Sequence, residues 1–143
     1  MIRDFSPADA EAVALLEAEC FSSPWSEQAI LDSYSEGVLF ILAEEEGRVI
    51  GYAGLQTVLD EGYITNIAVS RDFRGRGIGS SLVEQLKEKA RQKGLAFISL
   101  EVRHSNAAAV ALYEKQGFKT VGKRKNFYTA PLEDALIMTI EGF

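Results

Sequence analysis

Thr65-Asn66-Ile67-Ala68-Val69 leads into Arg74-Gly75-Arg76-Gly77-Ile78-Gly79-Ser80. That loop in turn leads into a segment with Ile78, Leu82, Val83, Leu86 and Ala90 at helical spacing. The order is a strand, a loop with three glycines and an amphipathic helix. Such a loop exposes backbone N–H groups, and the helix N-terminus adds partial positive charge, so the two together suit a phosphate or pyrophosphate. Glycine serves here because a side chain would hold the phosphate away from the amides. Arg74 and Arg76 add charge around the loop. No Lys-Ser/Thr pair follows the last glycine, which excludes the mononucleotide P-loop, and the glycine spacing differs from the dinucleotide fingerprint. A glycine-rich turn that binds no ligand is the competing reading.

Downstream, Ala96 to Val102 reads as a strand and Asn106 to Gln116 as a helix stopped by Gly117. Lys119 to Tyr128 and Glu133 to Ile140 read as a last pair of strands around a turn near Pro131. Upstream, Ile2 to Phe5 reads as a short strand. Ser6-Pro7 with Asp9 forms an N-cap ahead of a helix that buries Ala10, Val13, Leu16 and Cys20. Ser22-Ser23-Pro24-Trp25 breaks that helix, and Ser26 caps a second one running towards Glu36. Strands follow at Val38 to Ala43, Arg48 to Val58 and Tyr63 to Val69, with turns at Glu44 to Gly47 and at Asp60-Glu61-Gly62. A meander leading into strand–helix–strand units predicts an α/β (α+β) fold, with a mixed sheet of about seven strands flanked by about four helices. The expected organisation is one domain over residues 1–143.

Composition narrows the function classes. The chain has 143 residues, 47% hydrophobic and 25% charged, which is ordinary for a globular protein and too apolar for a disordered one. No uncharged run approaches the ~18 residues of a membrane span, and Met1-Ile2-Arg3-Asp4-Phe5 lacks the apolar stretch of a signal peptide. The one cysteine excludes an internal disulfide and fits a reducing compartment, so a cytoplasmic protein is expected. A net charge of −6 argues against direct nucleic-acid binding and suits a basic peptide or cationic amine.

Glu101 interrupts Phe97, Ile98, Leu100 and Val102, an apolar run typical of a strand covered on both faces. It lies towards the C-terminal end of its strand, where open α/β sheets place ligands, and is a candidate general base. A salt bridge to Arg103 or Arg124 is the alternative. Asn106 can cap its helix or hold a polar ligand; Tyr113, about two turns later, is either core packing or a proton donor. Cys20 and His104 could be paired as nucleophile and base, but Cys20 sits on an apolar stripe and His104 at a solvated strand end. Trp25 either packs beneath the second helix or lines a substrate groove. A lone histidine and a lone cysteine do not supply a metal site.

Arg74-x-x-Gly77-x-Gly79 between a strand and a helix resembles the acetyl-coenzyme A loop of the GCN5-related N-acetyltransferase (GNAT) superfamily. Ser105-Asn106-x-x-Ala109-x-x-Leu112-Tyr113-x-x-x-Gly117-Phe118 resembles its fourth-helix motif. The resemblance implies acetyl-CoA as cosubstrate, with no metal. It places the general base on Glu101 and the general acid on Tyr113, in direct transfer without an acyl-cysteine. Cofactor contacts fall on Ile67, Ala68, Val69, Arg74, Gly75, Arg76, Gly77, Ile78, Gly79, Ser80 and Asn106. Phe21 to Ser26, Val58 to Glu61, Asn66 to Val69, Leu100 to Arg103 and Arg124 to Tyr128 are similar to the branch that acetylates the N-terminal alanine of a small-subunit ribosomal protein. Phe127 departs from the tyrosine that relatives often carry there. The implied substrate is a protein N-terminal peptide, with Asp60 and Glu61 reading a basic segment and Phe127, Tyr128 and Trp25 flanking it. No contact with nucleic acid or membrane is expected, and a monomer is favoured. A small-molecule amine acetyltransferase and a non-catalytic CoA-binding module remain the alternatives.

Overall fold

A computed structural model describes residues 1–129 and 131–143. Ala130, in the expected turn before Pro131, lies outside them. The strands are β1 (Ile2–Asp4), β2 (Leu39–Glu45), β3 (Arg48–Val58), β4 (Glu61–Val69), β5 (Phe97–Arg103), β6 (Lys119–Thr129) and β7 (Leu132–Glu141). The helices are α1 (Ala10–Cys20), α2 (Glu27–Ser35), α3 (Ile78–Gln92) and α4 (Ala107–Lys115). The seven strands make one sheet in the order β1-β2-β3-β4-β5-β7-β6. Neighbours are antiparallel except β4 and β5, which are parallel. The mixed α/β architecture expected from the sequence is the one observed.

Period-two alternation gives the sheet two apolar faces. Ile41, Ala53, Leu55 and Ile64 share one core with Leu82, Val83, Leu86 and Ala90 of α3. Phe40, Leu42, Tyr52 and Ala68 turn the other way and share a second core with Val13, Leu16 and Ile30 of α1 and α2. Two of the helices begin at a side-chain cap. Ser26 Oγ accepts from Ala29 N–H at 3.1 Å to start α2, and Asn106 Oδ1 accepts from Ala109 N–H at 3.2 Å to start α4.

The site is created by a failure of strand pairing. β4 and β5 are in register over Glu61–Tyr63 against Phe97–Ser99, and the pairing goes no further. Just beyond it, Gly54 of β3 faces Asn66 while Leu55 faces Ile64, so Thr65 is an extra residue in β4. This bulge bends β4, as an unpaired residue in one strand does. Gly54 makes room for it, because a Cβ there would collide with Thr65 Oγ1 and lie 2.7 Å from Phe40 Cε1.

Two boundaries differ from the sequence expectation. Glu44 and Glu45 belong to β2 rather than to a solvated turn, and Glu44 accepts from Arg3 Nε at 3.0 Å. The turn shrinks to Glu46-Gly47, both with positive φ, the two-residue geometry that suits a twisted hairpin. Glu61 opens β4 instead of closing the preceding turn. In both places cross-strand partners override the local preference of acidic residues for loops.

Arg3 ties β1 to the turn before α1, reaching Asp9 through two bonds of 2.9 and 2.8 Å. The Arg3 guanidinium holds the Asp9 carboxyl down to about 2. Its folded-state value therefore lies below the unfolded one. The pair's contribution is complete above about pH 4 and is lost as pH falls towards 2. Asp9→Asn should lower stability at neutral pH by about 1 kcal/mol, discounted for solvent screening, and flatten acid unfolding over that interval. Urea melts from pH 7 to pH 2 check this.

Candidate functional site

Where β4 and β5 part, a groove of about 650 Å³ opens on the α3/α4 side. Ile67, Ala68 and Val69 form one wall, the Arg74–Ser80 loop forms its end, and Asn106, Leu112 and Tyr113 from α4 form the other wall. Of the expected cofactor residues, all but Arg76 line it; Arg76 instead stacks over the Phe73 ring at 4.9 Å. The lining contains Arg74 and Lys115 but no carboxylate, which is the balance an anionic ligand needs.

The three loop glycines are required for two different reasons. Gly75 and Gly77 both have φ near +79°, with open space where a Cβ would stand. Gly79 has an ordinary φ, but its Cβ would lie 2.9 Å from Leu112 Cδ1, so it lets α3 and α4 approach. α3 starts after Gly77 without a side-chain cap and without an acidic residue in its first turn. Its first amides therefore remain available to an anion. This open, acid-free cradle fits the pyrophosphate of acetyl-CoA.

Tyr113 is buried, and its ring meets Phe118 at 5.7 Å between centroids. Burial, with Tyr128 nearby, pushes its hydroxyl well above the usual tyrosine range, so the proton stays on. Tyr113 packs in the core and also lines the groove, so core packing does not keep it from the site.

Glu101 is exposed and does not line the groove. Leu100 and Val102 join the α3 core, so alternation turns Glu101 to the opposite face of the sheet. There its carboxylate lies 3.5 Å from Arg124 Nε. Arg124 also stacks on Phe127 at 5.7 Å, Phe127 meets Tyr128 edge-on at 5.0 Å, and Arg103 covers the Tyr128 ring at 4.3 Å. Glu101, Phe127 and Tyr128 are thus brought into one cluster. Burial, then the charge of Glu101, raises the Tyr128 hydroxyl.

Asp60 and Glu61 are not brought there. They sit at the start of β4, the end where β4 and β5 are paired, and Glu61 accepts the Tyr63 hydroxyl. Trp25 is half-buried and packs on the α1/α2 core. His104 is exposed. Cys20 turns out to line the groove, donating to the Val69 carbonyl at 3.5 Å and accepting from Arg74 at 3.5 Å. Burial pushes its thiol up against the opposing pull of Arg74, and so disfavours the thiolate. Sequence reasoning missed Phe21 and Phe73 as lining residues. It also passed over Glu17, an acid on the apolar stripe between Val13 and Cys20, which is 1% exposed.

The glycine roles separate experimentally. Gly77→Ala should cost about 1 kcal/mol through its left-handed φ alone. Gly79→Val should cost about 1–3 kcal/mol by overpacking Leu112, and adding Leu112→Ala should recover part of that loss. Denaturant midpoints of the three variants provide the check.

The acetyltransferase (GNAT) family model matches residues 10–118. The ribosomal protein bS18-alanine N-acetyltransferase of Escherichia coli (strain K12) is 38% identical over 141 residues, covering 97% of this chain and 95% of that protein. The crystal structure of the Escherichia coli ribosomal-protein-S18-alanine N-acetyltransferase has a TM-score of 0.92 at 37% identity, over 99% of this chain and 92% of that one. Ard1 from Thermoplasma volcanium also gives a TM-score of 0.92, at 28% identity, over 100% and 97% of the two chains. The yncA protein of Salmonella typhimurium, solved with its cofactor acetyl-CoA, shares the fold at a TM-score of 0.86 and 20% identity, over 99% of this chain and 92% of that one. With the split sheet, the glycine cradle and the motif pair all in place, the chain belongs to the GNAT acetyltransferase family.

Proposed function

We propose that this protein, acting as one domain, transfers the acetyl group of acetyl-CoA to the N-terminal amine of a small-subunit ribosomal protein, with alanine at the first position. The observation that carries this reading is the 38% identity to the Escherichia coli enzyme over nearly the whole of both chains. The work is expected in the cytoplasm; among the described residues no helix is long and apolar enough to cross a membrane.

Acetyl-CoA supplies an activated thioester, from which the C–S bond breaks as the C–N bond to the amine forms. Arg74, the loop amides and the α3 N-terminus hold the pyrophosphate. Backbone N–H groups of Ile67 and Val69, on the edge of β4 that β5 leaves open, stabilise the developing negative charge on the carbonyl oxygen. Tyr113, in the groove and held protonated, gives its proton to the departing thiolate. Glu101, on the opposite face, takes the proton from the incoming amine, directly or through water. The cosubstrate and the acceptor thus approach from opposite faces of the sheet and meet where β4 and β5 part. Phe127 and Tyr128 flank the acceptor beside Glu101, and Trp25 borders its path. Asp60 and Glu61 have no part in this arrangement, because they lie at the closed end of the split.

Glu101→Gln and Tyr113→Phe should each lower turnover by roughly 10²-fold or more, with acetyl-CoA affinity by calorimetry little changed. Because the Tyr113 hydroxyl is raised, kcat/KM should climb with deprotonation of the α-amine near ~7.7–8.0 and show no Tyr113-dependent fall by pH ~10. The substrate class is tested with a basic peptide beginning with alanine against free lysine and spermidine. Preference for a free amine would move the protein to a small-molecule reading, and acetyl-CoA binding without turnover on any amine would make it a binding module.

A further inference from the structure

On the α1/α2 face, beside the bulge, lies a buried carboxylate that the transfer chemistry does not use. Glu17 is 1% exposed on the inner stripe of α1. Its Oε1 accepts from the Trp25 backbone N–H at 2.9 Å, and its Oε2 accepts from the Tyr52 hydroxyl at 2.5 Å and from Asn66 Nδ2 at 3.2 Å. One side chain therefore joins the segment between α1 and α2, strand β3 and the bulge of β4. Three neutral donors thus share the two oxygens of one buried side chain. Burial and the Glu17 charge push the Tyr52 hydroxyl far up, so Tyr52 remains the donor in its bond.

The connection matters because of where its ends lie. Asn66 immediately precedes Ile67 to Val69, the wall of the cosubstrate groove, and Cys20 and Phe21 at the end of α1 line the same groove. Trp25 closes the segment that follows them. Thr65 Oγ1 and Asn66 Oδ1 are buried without hydrogen-bond partners, so the bulge is not self-satisfying. It needs an outside group to hold its side chains in one arrangement.

We infer that Glu17 is a positioning residue, which clamps the Ser22–Trp25 segment to the β4 bulge and so fixes the entrance for the acceptor amine. This rests on the reading of the protein as a transferase to a protein amine. The clamp acts on the α1/α2 face, whereas the α3 loop that holds acetyl-CoA lies on the other. Its loss therefore falls chiefly on the acceptor, while the glycine cradle before α3, which Glu17 does not touch, keeps its own geometry.

Trp25 is the only tryptophan in the chain, so its fluorescence reports the clamp independently of catalysis. Glu17→Gln leaves one acceptor oxygen where there were two, so the Trp25 N–H competes for it with Tyr52 and Asn66. Acrylamide quenching of Trp25 should rise about twofold, and the KM for the acceptor peptide by about fivefold or more, while the KM for acetyl-CoA stays within about twofold. Tyr52→Phe removes a bond to the other oxygen. It should lower Tm similarly but leave the quenching and both KM values near wild type. Equal effects of the two variants, or parallel rises of the two KM values, would reduce Glu17 to a structural residue and overturn the inference. Should Glu17→Gln not fold, amide exchange in the wild type decides: the Trp25 N–H should be protected by about 10³-fold over peptide rates, and an unprotected amide rejects the clamp. If the wild type ignores the peptide while Glu17→Gln still raises the quenching, the substrate reading is refuted and the clamp is retained.

Discussion

The bulge at Thr65 is the constraint from which the rest of the site follows. A parallel strand pair left regular would seal its backbone groups along its whole length, leaving nowhere for a ligand to enter a continuous sheet. Here β4 bends after Ile64, its register with β5 ends at Tyr63 and Ser99, and the two strands diverge. Gly54 admits the bulge by having no Cβ, and Glu17 holds Asn66 on the buried side. β5 keeps its order beyond Ser99 because β7 pairs with it as far as Arg103. One edge of the split is thus supported by an antiparallel ladder and the other by a side-chain carboxylate.

The split also separates charges. The groove on the α3/α4 side carries arginine, lysine and free helix-terminal amides without a carboxylate, although the chain as a whole is at −6. Its acids lie elsewhere: Glu101 with Arg124 on the far face, Glu133 with Arg103, and Glu44 and Asp9 with Arg3. An anionic cosubstrate and a cationic acceptor can then be drawn to different faces of one sheet. Net charge alone carries no information about this arrangement.

Much of the fold was legible along the chain. The Ser26 and Asn106 caps, the glycine stops and the period-two and helical stripes give every helix and strand in order, with boundaries shifted by a few residues. The shifts have a common cause. Glu44, Glu45 and Glu61 have loop-like local preferences, and neighbouring strands and Arg3 recruit them into the sheet. Glu17 points to the same limit: an acid on an apolar stripe announces a buried partner, but its donors come from three distant segments and no spacing rule names them.

By itself the sequence determined the order of elements and the glycine-to-helix cradle, because each depends on periodicity or on contacts between near neighbours, and it singled out Glu101 and Tyr113 as candidates. Only the tertiary structure decided that Gly79 is small for the sake of Leu112, that Cys20 borders the groove, and that Asp60 and Glu61 lie at its closed end. It also decided that Glu101 and Tyr113 lie on opposite faces of the sheet. Each of these depends on where strand pairing stops. That is set by a bulge, a glycine and a buried carboxylate that meet only after the chain has folded.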